Sequence, residues 1–383
     1  MNFTRFELAG KPLASLSIGC MRYPSREAAA EVIDACAAHD VLYLDTSPMY
    51  CYRNEEENTE TWTGAAIKGY RDKMIVSAKC ATGNGGNQVG EYDPARGFSI
   101  TTADQVRRQI DQSLRRLQVD RFDCYQLWAV HVPPLFDEAL KPGGWLEGVL
   151  KAKDEGLFTH LGVTGHADSA EIKRWVDSGW VEMITVPFHL MDISRLEGIR
   201  YARDHGVAVV AMNPLAGGFL GSASEGLARE MADAGVSSAA DLALRYVASI
   251  EGVSALSGMT SAAEAEANCA TLSQPLFGEE QAEALRLRFE SLIQNAEYVC
   301  TGCRYCLPCS EELDIPGILR LRNYHVVLQL ESAQREFRHR YRHDEKFRAD
   351  KCTECGLCEG RCPNQLPVAS LMKEVMATLA EAV

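Results

Sequence analysis

The sequence predicts an α/β protein, with a (β/α)8 TIM barrel over residues 1–275 and a mainly α-helical domain over residues 276–383. Three observations predict this fold class. Short apolar runs alternate eight times with longer helical patterns between residues 15 and 272. The 383 residues are enough for two or three domains. Eight of the 14 cysteines lie after residue 299, which separates the C-terminal part from the rest.

The eight predicted strands are short and apolar, and turn residues flank them. They cover residues 15–19, 41–45, 74–79, 122–128, 158–163, 181–187, 207–212 and 253–257. The predicted helices have apolar residues at helical spacing. They cover residues 26–39, 58–69, 103–117, 144–155, 168–178, 194–205, 237–250 and 261–272. A doubly wound open sheet is the alternative, and it fits less well because no GxGxxG motif follows the first strand.

Composition and charge narrow the classes of function. Apolar residues make up 46% and charged residues 24%, as in an average soluble globular protein. The net charge of -14 disfavours nucleic acid and anionic membranes as partners, because both bind basic surfaces. No apolar run reaches the roughly 18 residues of a membrane-spanning helix, and Glu7 interrupts the N-terminal stretch where a signal peptide is apolar. We therefore expect a cytoplasmic protein that acts on a small molecule.

The C-terminal cysteines form two tight runs, which predict metal sites. The runs are Cys300-x2-Cys303-x2-Cys306-x2-Cys309 and Cys352-x2-Cys355-x2-Cys358-x3-Cys362. The second run has the spacing of bacterial ferredoxins, in which the fourth cysteine of each run binds the other cluster. The predicted ligands of two [4Fe-4S] clusters are Cys300, Cys303, Cys306 and Cys362 for one, and Cys352, Cys355, Cys358 and Cys309 for the other. Zinc is the alternative, and two runs of four closely spaced cysteines disfavour it.

The residues between and around these runs predict helices. The 42 residues that separate the runs are too many for a compact ferredoxin hairpin, and residues 316–345 carry helical patterns. An α-helical ferredoxin-like domain is therefore the prediction. The span 335–348 is rich in Arg and His. It is a candidate docking face for an acidic electron carrier such as a ferredoxin or flavodoxin, and a solvated helix face is the alternative.

Several polar residues follow the predicted strands, at the barrel end where chemistry occurs. They are Asp45, Tyr50, Lys79, Trp128 and His131. A tyrosine hydroxyl acts as a general acid near neutral pH when an ammonium lowers its pKa, and Lys79 paired with Asp45 is expected to supply that charge. Each residue also has an ordinary interpretation, with Asp45 as a cap, Tyr50 in loop packing and Lys79 on the surface.

Together these residues resemble the aldo-keto reductase family over about residues 1–275. The motifs are residues 18–24 (IGCMRYP), 45–50 (DTSPMY), Lys79, 162–166 (GVTGH), 213–218 (NPLAGG) and 257–260 (SGMT). The first cysteine run, with residues 314–316 (DIP) and Asn323, resembles the iron-sulfur extension of one subfamily. Of the family's catalytic Asp, Tyr, Lys and His, three carry over, to Asp45, Tyr50 and Lys79.

The resemblance also implies a nicotinamide dinucleotide, NADP or NAD, bound in an extended pose. Gly258 would lie at a helix N-terminus that favours phosphate, and Asn268 would lie at the adenine. The residues that the resemblance assigns to the cofactor are Met21, Thr164, Asn213, Leu215, Gly217, Gly258, Met259, Ser261, Glu266 and Asn268.

The sequence also departs from the family pattern. Trp128 stands where the family has its histidine, and an indole N–H cannot shuttle a proton. His131 lies three positions further on, so it substitutes only if the strand ends and the chain turns. Cys51 replaces the glycine that is usual after the tyrosine. No Lys or Arg lies between Gly258 and Asn268 to meet a 2′-phosphate, which leaves NADP and NAD open.

Three functions remain open at this stage. The first is a nicotinamide-dependent reductase of a small carbonyl compound, or dehydrogenase of the alcohol, whose clusters shape the site or serve a partner. The second is an enzyme whose clusters deliver electrons to a substrate in the barrel by flavin or radical chemistry, which Trp128 favours. The third is a non-catalytic electron carrier, which Asp45, Tyr50 and Lys79 disfavour. The glycine-rich loop 81–98 is predicted to form a wall of the substrate site, with a surface loop as the alternative.

Overall fold

The structure, a computed structural model, describes residues 1–80, 102–128, 130, 135–221, 224–300, 306–362 and 365–380. The chain begins with an antiparallel hairpin of β1 (Phe3–Leu8) and β2 (Lys11–Ala14). Leu8 and Leu13 pack against Tyr43, Cys124 and Met183, each of which is the first residue of a barrel strand. The hairpin therefore covers the amino-terminal end of the barrel. The sequence analysis did not predict it.

Eight parallel strands form the barrel. They are β3 (Leu16–Gly19), β4 (Tyr43–Asp45), β5 (Ile75–Cys80), β6 (Cys124–Trp128), β7 (His160–Thr164), β8 (Met183–Pro187), β9 (Ala208–Met212) and β10 (Val253–Gly258). The barrel closes in the order β10-β3-β4-β5-β6-β7-β8-β9, and every neighbouring pair is parallel. All eight predicted strands are confirmed, and their carboxyl ends share one rim of the barrel.

The helices of the first three quarters of the chain mostly follow barrel strands. They are α1 (Arg26–Ala38), α2 (Thr59–Ala66), α3 (Ala103–Leu117), α4 (Leu135–Leu140), α5 (Trp145–Asp154), α6 (Ser169–Asp177), α7 (Leu196–Asp204), α8 (Glu225–Ala234), α9 (Ala239–Ala248), α10 (Ala262–Ser273) and α11 (Glu279–Asn295). Side chains at the N-caps start several of them, because each accepts a hydrogen bond from an otherwise unpaired backbone N–H. The caps with such bonds include Ser25, Asn58, Thr102, Asp168 and Ser261. The eight predicted helices are present, whereas α4, α8 and α11 were not predicted.

The chain divides into two compact units. One consists of Met1–Pro214 with Leu244–Ala282, and the other of Leu215–Ala243 with Glu283–Val383. The second unit therefore includes α8, although α8 lies between the barrel strands β9 and β10 in the sequence. The expected domain boundary between residues 275 and 276 stays a prediction.

The second unit is helical, as predicted for residues 316–345. Its later helices are α12 (Ile315–Leu328), α13 (Glu331–His343), α14 (Leu357–Gly360) and α15 (Val368–Thr378). Asp314 caps α12 by accepting a hydrogen bond from Gly317 N at 3.3 Å. An apolar core that includes Ile318, Phe337 and Leu371 joins these helices. Within the described ranges, every helix is too short or too polar to span a bilayer.

Candidate functional site

An ion pair lies inside the barrel near the carboxyl ends of two neighbouring strands. Asp45 ends β4 and Lys79 is the penultimate residue of β5, and both side chains are almost fully buried. Lys79 Nζ donates hydrogen bonds to a carboxylate oxygen of Asp45 and to Thr46 O, the latter at 3.1 Å. The interpretation of Lys79 as a surface residue is therefore wrong, and the predicted pairing of Lys79 with Asp45 is present.

Gln126 completes the surroundings of Asp45. Its side-chain N–H2 group donates to Asp45 Oδ1 at 2.9 Å and to Ser77 Oγ at 2.8 Å. Gln126 is not among the site residues predicted from the sequence. The available signal was its position two residues before Trp128, because alternate residues of a strand face the same side. Asp45 thus accepts hydrogen bonds from an ammonium and an amide, which fixes the orientation of its carboxylate.

Tyr50 lies in the turn after β4, beside this ion pair. Lys79 Nζ is 5.0 Å from the centroid of the Tyr50 ring. Burial raises the pKa of Tyr50 above its ordinary value of 10.0, the charge of Lys79 opposes this rise, and the charge of Asp45 adds to it. The expectation that Lys79 brings the pKa of Tyr50 below its ordinary value is therefore wrong, because burial outweighs the opposing charge of Lys79.

Lys79 keeps its proton in this buried position. Burial alone would lower the pKa of Lys79, but the charge of Asp45 and the charge of an ionised Tyr50 raise it, and the net shift is upward. The ammonium is therefore available to stabilise a tyrosinate at Tyr50. This stabilisation is the role that the sequence analysis expected of Lys79.

Trp128 is the last residue of β6, and its ring contacts the ring of Tyr50. The ring centroids are 6.1 Å apart and the planes meet at 75°, which is an edge-to-face contact. Trp128 therefore lies beside Tyr50, where the sequence analysis expected the counterpart of a family histidine. His131 and the loop 81–98 lie outside the described residues. Whether His131 replaces the histidine stays a prediction.

The second predicted cysteine set lines one cavity in the second unit. Its four members are Cys309, Cys352, Cys355 and Cys358. Apolar side chains including Leu313, Ile315, Val368 and Met372 form much of the remaining wall. Among the described residues, no three His, Cys, Asp or Glu side chains converge on one metal ion. A cubane needs four thiolates around a cavity, and this set fits that requirement.

The first predicted set lies against the same apolar core. Cys300, Cys306 and Cys362 are half-buried and pack against it, and Cys303 lies outside the described residues. Cys309 belongs to the first run in sequence but lines the cavity of the second run. This crossover is what the spacing of two-cluster ferredoxins predicts.

Comparison with known proteins decides the family. The profile of the aldo/keto reductase family matches residues 15–286, which is most of the chain. The chain belongs to the aldo/keto reductase family. A second profile, a 4Fe-4S dicluster domain, matches residues 299–367, so this aldo/keto reductase carries a C-terminal iron-sulfur domain. The suspected family and the fold class are both confirmed.

Relatives and solved structures agree with this assignment. The uncharacterized oxidoreductase YqkF of Bacillus subtilis strain 168 is 25% identical over 54% of this chain and 63% of its own length. The NADH-specific methylglyoxal reductase of Escherichia coli K12 is 27% identical over 46% of this chain and 53% of its own length. An aldo-keto reductase of Klebsiella pneumoniae, solved in complex with NADPH, has a TM-score of 0.57 at 25% identity, covering 75% of this chain and 94% of that one. The chain thus spans between half and two thirds of the two curated relatives named here.

The residues that the resemblance assigns to a dinucleotide lie in both units of this aldo/keto reductase. Those in the first unit follow or end barrel strands, or lie on α10. They are Met21, Thr164, Asn213, Gly258, Met259, Ser261, Glu266 and Asn268. Because β9, β10 and β3 are neighbours in the barrel, most of this group shares one side of the rim. Leu215 and Gly217 belong to the second unit.

The N-terminus of α10 has its own anionic partner. Ser261 Oγ accepts a hydrogen bond from Glu264 N at 3.3 Å, and Glu264 Oε2 accepts one from Thr260 N at 2.7 Å. Glu264 therefore places a carboxylate at the positive end of the helix. On the same helix, the side chain of Asn268 donates to Ser257 Oγ at 3.2 Å. Glu266 Oε2 lies 2.7 Å from Nε2 of His39, the residue that follows α1.

A cation lies close to this helix end. A Cβ atom added to Gly258 would come within 2.7 Å of Arg22 Cγ, so the side chain of Arg22 crosses the glycine. Arg22 is exposed and follows β3. Arg22 is not among the cations predicted for the cofactor, because it lies far from the segment between Gly258 and Asn268 in the sequence. The rim thus combines an arginine with a glycine, which fits an anionic group of a dinucleotide.

Cys51 shows why a glycine is usual after the catalytic tyrosine in this family. Its φ angle is +49°, in the left-handed region that favours glycine. The thiol lies 3.5 Å from Met21 O and 3.7 Å from Tyr23 O, so its single S–H can donate to either carbonyl. Cys51 thus adopts a conformation that favours glycine and places a thiol beside the backbone of two rim residues.

Proposed function

We propose that this aldo/keto reductase interconverts a small carbonyl compound and its alcohol with NADPH or NADH, and that two [4Fe-4S] clusters are coupled to this reaction. The observation that carries the proposal is the buried ion pair of Lys79 and Asp45 beside the ring of Tyr50. A buried charge pair is retained at a cost in desolvation, and perturbed titratable groups at a barrel rim are typical of acid-base chemistry.

The residues of the chain have separate roles in this proposal. Tyr50 donates a proton from its hydroxyl to the carbonyl oxygen in reduction, and it accepts the proton back in oxidation. Lys79 stabilises the tyrosinate that remains after donation. Asp45, oriented by Gln126, holds the ammonium in place. The nicotinamide dinucleotide, when bound, supplies or accepts the hydride.

The cofactors proposed here draw on the residues and on the relatives. Arg22, which crosses Gly258, offers a cationic side chain for an anionic group of the dinucleotide. The named E. coli relative is NADH-specific and the named Klebsiella structure contains NADPH, so both nicotinamides occur among similar proteins. The proposed cluster ligands are Cys300, Cys303, Cys306 and Cys362, and Cys352, Cys355, Cys358 and Cys309. Each cluster, when bound, passes one electron at a time, so a ferredoxin or flavodoxin is the proposed electron partner.

A second candidate function is supported by one observation. Trp128 lies where this family has a histidine, and it contacts Tyr50 directly. An indole cannot move a proton. In this second candidate, electrons reach a substrate in the barrel from the clusters by flavin or radical chemistry, and Tyr50 supplies only the proton. A non-catalytic electron carrier is disfavoured, because electron transfer through the clusters does not require a buried Lys79–Asp45 pair in the barrel.

The experiment is turnover of Tyr50→Phe with a panel of small aldehydes, ketones and alcohols, after anaerobic purification. Removing the hydroxyl should abolish nicotinamide-dependent turnover while the visible absorption of the clusters is unchanged. Tyr52→Phe is the matched control, because Tyr52 lies in the same loop and its hydroxyl donates to Glu55 at 3.0 Å. Near wild-type turnover by Tyr50→Phe rejects both candidates. Turnover that needs reduced clusters and no nicotinamide favours the second candidate.

A further inference from the structure

The chain that enters the first cysteine run is fixed by an asparagine of α12. Asn323 Oδ1 accepts a hydrogen bond from Cys300 N at 3.2 Å, and Asn323 Nδ2 donates one to Cys300 O at 2.7 Å. One side chain therefore satisfies both backbone groups of the first cysteine in the run. Asn323 is buried, so these bonds are shielded from competing water.

The preceding residue of α12 holds the same segment from a second point. Arg322 Nη1 donates to Glu297 O and to Tyr298 O, both at 3.2 Å. These carbonyls lie two and three residues before Cys300. Arg322 is only 3% exposed, and a guanidinium buried to this degree needs a counter-ion. The segment between α11 and Cys300 is thus attached to α12 at three backbone positions.

The counter-ion of Arg322 comes from α15. Arg322 Nε and Nη2 each donate to a different carboxylate oxygen of Glu374 at 2.9 Å, which is a bidentate pair. Four of the five N–H groups of Arg322 therefore have partners. The same helix lines the cavity of the second cysteine set with Val368, Ala369 and Met372. Through Arg322, hydrogen bonds thus connect the helix beside the second set to the backbone of Glu297 and Tyr298, just before Cys300.

We propose that Arg322 and Asn323 are positioning residues for the first [4Fe-4S] cluster, and that Glu374 links this positioning to the helix beside the second cluster. The proposal rests on the proposed assignment of the cysteines as cluster ligands. None of the three residues is itself a ligand. They act by fixing the backbone from which the thiolate of Cys300 projects, because a cubane needs all four sulfur atoms in place together.

Truncation of Asn323 has a specific consequence. Asn323→Ala leaves the N–H and C=O groups of Cys300 without their partners, and the cysteine then samples other positions. The first cluster should be lost or weakened while the second is retained. Arg322→Lys should not preserve the occupancy of the first cluster. A lysine lacks the planar guanidinium that donates to a carboxylate and two carbonyls at once. Glu374→Gln should weaken loading of the first cluster, although Glu374 lies on the helix beside the second.

The test measures iron and acid-labile sulfide per chain, together with the electron paramagnetic resonance spectrum of the dithionite-reduced full-length protein. Wild type is expected to contain about eight irons, and Asn323→Ala about four, a twofold loss, with one of two cluster signals missing. Arg288→Met is the control. It breaks an Arg–Glu pair of the same unit, between Arg288 and Glu230, that does not touch the cysteine segments, and it should keep both signals.

The outcomes separate this proposal from the proposed function. If wild type holds two clusters and Asn323→Ala holds both with unchanged signals, the positioning role is overturned and the cluster assignment stands. Zinc without sulfide in wild type overturns both. If Asn323→Ala fails to fold by circular dichroism, Asn323→Asp decides the question. It keeps an acceptor for Cys300 N and adds a negative charge, so the reduction potential of one cluster should fall, and an unchanged potential overturns the proposal.

Discussion

Trp128 lies edge-on against Tyr50, with ring centroids 6.1 Å apart and planes that meet at 75°. An edge-to-face pair contributes about 0.5–1.5 kcal/mol beyond the area that it buries. Lys79 Nζ lies 5.0 Å from the centroid of the same tyrosine ring. Tyr50 is thus held by an indole and an ammonium, whereas a small carbonyl beside it would find an indole in place of an imidazole.

Trp128→His should raise the rate with a generic aldehyde and nicotinamide. An imidazole beside Tyr50 can orient and polarise the carbonyl, and general acid-base assistance of this kind changes rates by about 100-fold or more. The measurement is steady-state kcat/KM with a small aldehyde, and Trp128→Phe is the control because it removes the indole without adding a hydrogen-bonding group. Wild-type turnover at about 1–1,000 s⁻¹ with simple aldehydes would contradict this interpretation of Trp128.

Lys79→Met should slow alcohol oxidation and move its pH optimum upward. In this direction Tyr50 must lose its proton to act as the base. Burial already raises the pKa of Tyr50, and the ammonium of Lys79 is the main opposing influence, so removing it raises that pKa further. The measurement is kcat/KM against pH, with Lys73→Met as the control because Lys73 is exposed. An unchanged pH optimum would show that Lys79 has no electrostatic effect on Tyr50.

The same variant has a consequence for stability. Lys79→Met leaves the buried carboxylate of Asp45 without its counter-charge, and breaking a buried pair from one side costs about 3–5 kcal/mol. The double variant with Asp45→Asn should cost less than the sum of the two single variants, as urea unfolding in a double-mutant cycle measures.

Glu264→Gln should improve the use of NADPH relative to NADH. The carboxylate of Glu264 lies at the N-terminus of α10, where the resemblance places a phosphate, and it repels a further phosphate there. Removing one charge at an exposed site is worth about 1 kcal/mol, or about fivefold in the ratio of kcat/KM values. Glu171→Gln makes the same change at the equivalent position of α6, where Asp168 is the cap, and should leave the ratio unaltered. Equal ratios in wild type and Glu264→Gln would remove Glu264 from cofactor selection.

Cys309→Ser should remove the second cluster, although Cys309 belongs to the first run in sequence. The reason is that Cys309 lines the cavity formed with Cys352, Cys355 and Cys358. Iron should fall from about eight to about four per chain, and the remaining resonance signal should match that of Cys355→Ser. A remaining signal that instead matches Cys303→Ser would place Cys309 with the first cluster.

Glu182→Gln should change how stability depends on pH in acid. Burial alone would raise the pKa of Glu182, but hydrogen bonds from His160, the Leu161 N–H and Lys153 lower it to about 2. A lowered pKa stabilises the folded state above the unfolded pKa of about 4.3, and this contribution is lost as the pH falls towards 2. Because solvent reaches these charges, the effect is expected to be about 1 kcal/mol. Urea unfolding curves should separate above pH 4.3 and converge near pH 2, and a constant separation would contradict the assignment.

The barrel could be predicted from the sequence because each parallel strand is an apolar run between turn residues. The residue at which a strand ends can therefore be identified from the sequence. Asp45 and Lys79 could be paired in advance for this reason. Gln126 was missed because its two partners, Asp45 and Ser77, lie on other strands. The pKa of Tyr50 was misjudged because the sequence does not show how deeply a side chain is buried.

The sequence also does not predict that α8 belongs to the second unit. A Cβ atom added to Gly226 of α8 would lie 2.5 Å from Leu328 O, at the end of α12. The close approach depends on a contact between residues about 100 positions apart. Local patterns contain no information about such a contact, although they do predict a helix in the segment of α12.

The crossover of Cys309 has a consequence for the unfolded chain. When the proposed second cluster is bound, Cys309 and Cys352 are attached to one inorganic core. The 42 residues between them then form a closed loop that contains α12 and α13. A covalent closure of this length lowers the conformational entropy of the unfolded state by the equivalent of about 4 kcal/mol near 25 °C. The inorganic core would then serve as a cross-link without a disulfide, and a protease should cut α12 and α13 faster once iron has been removed.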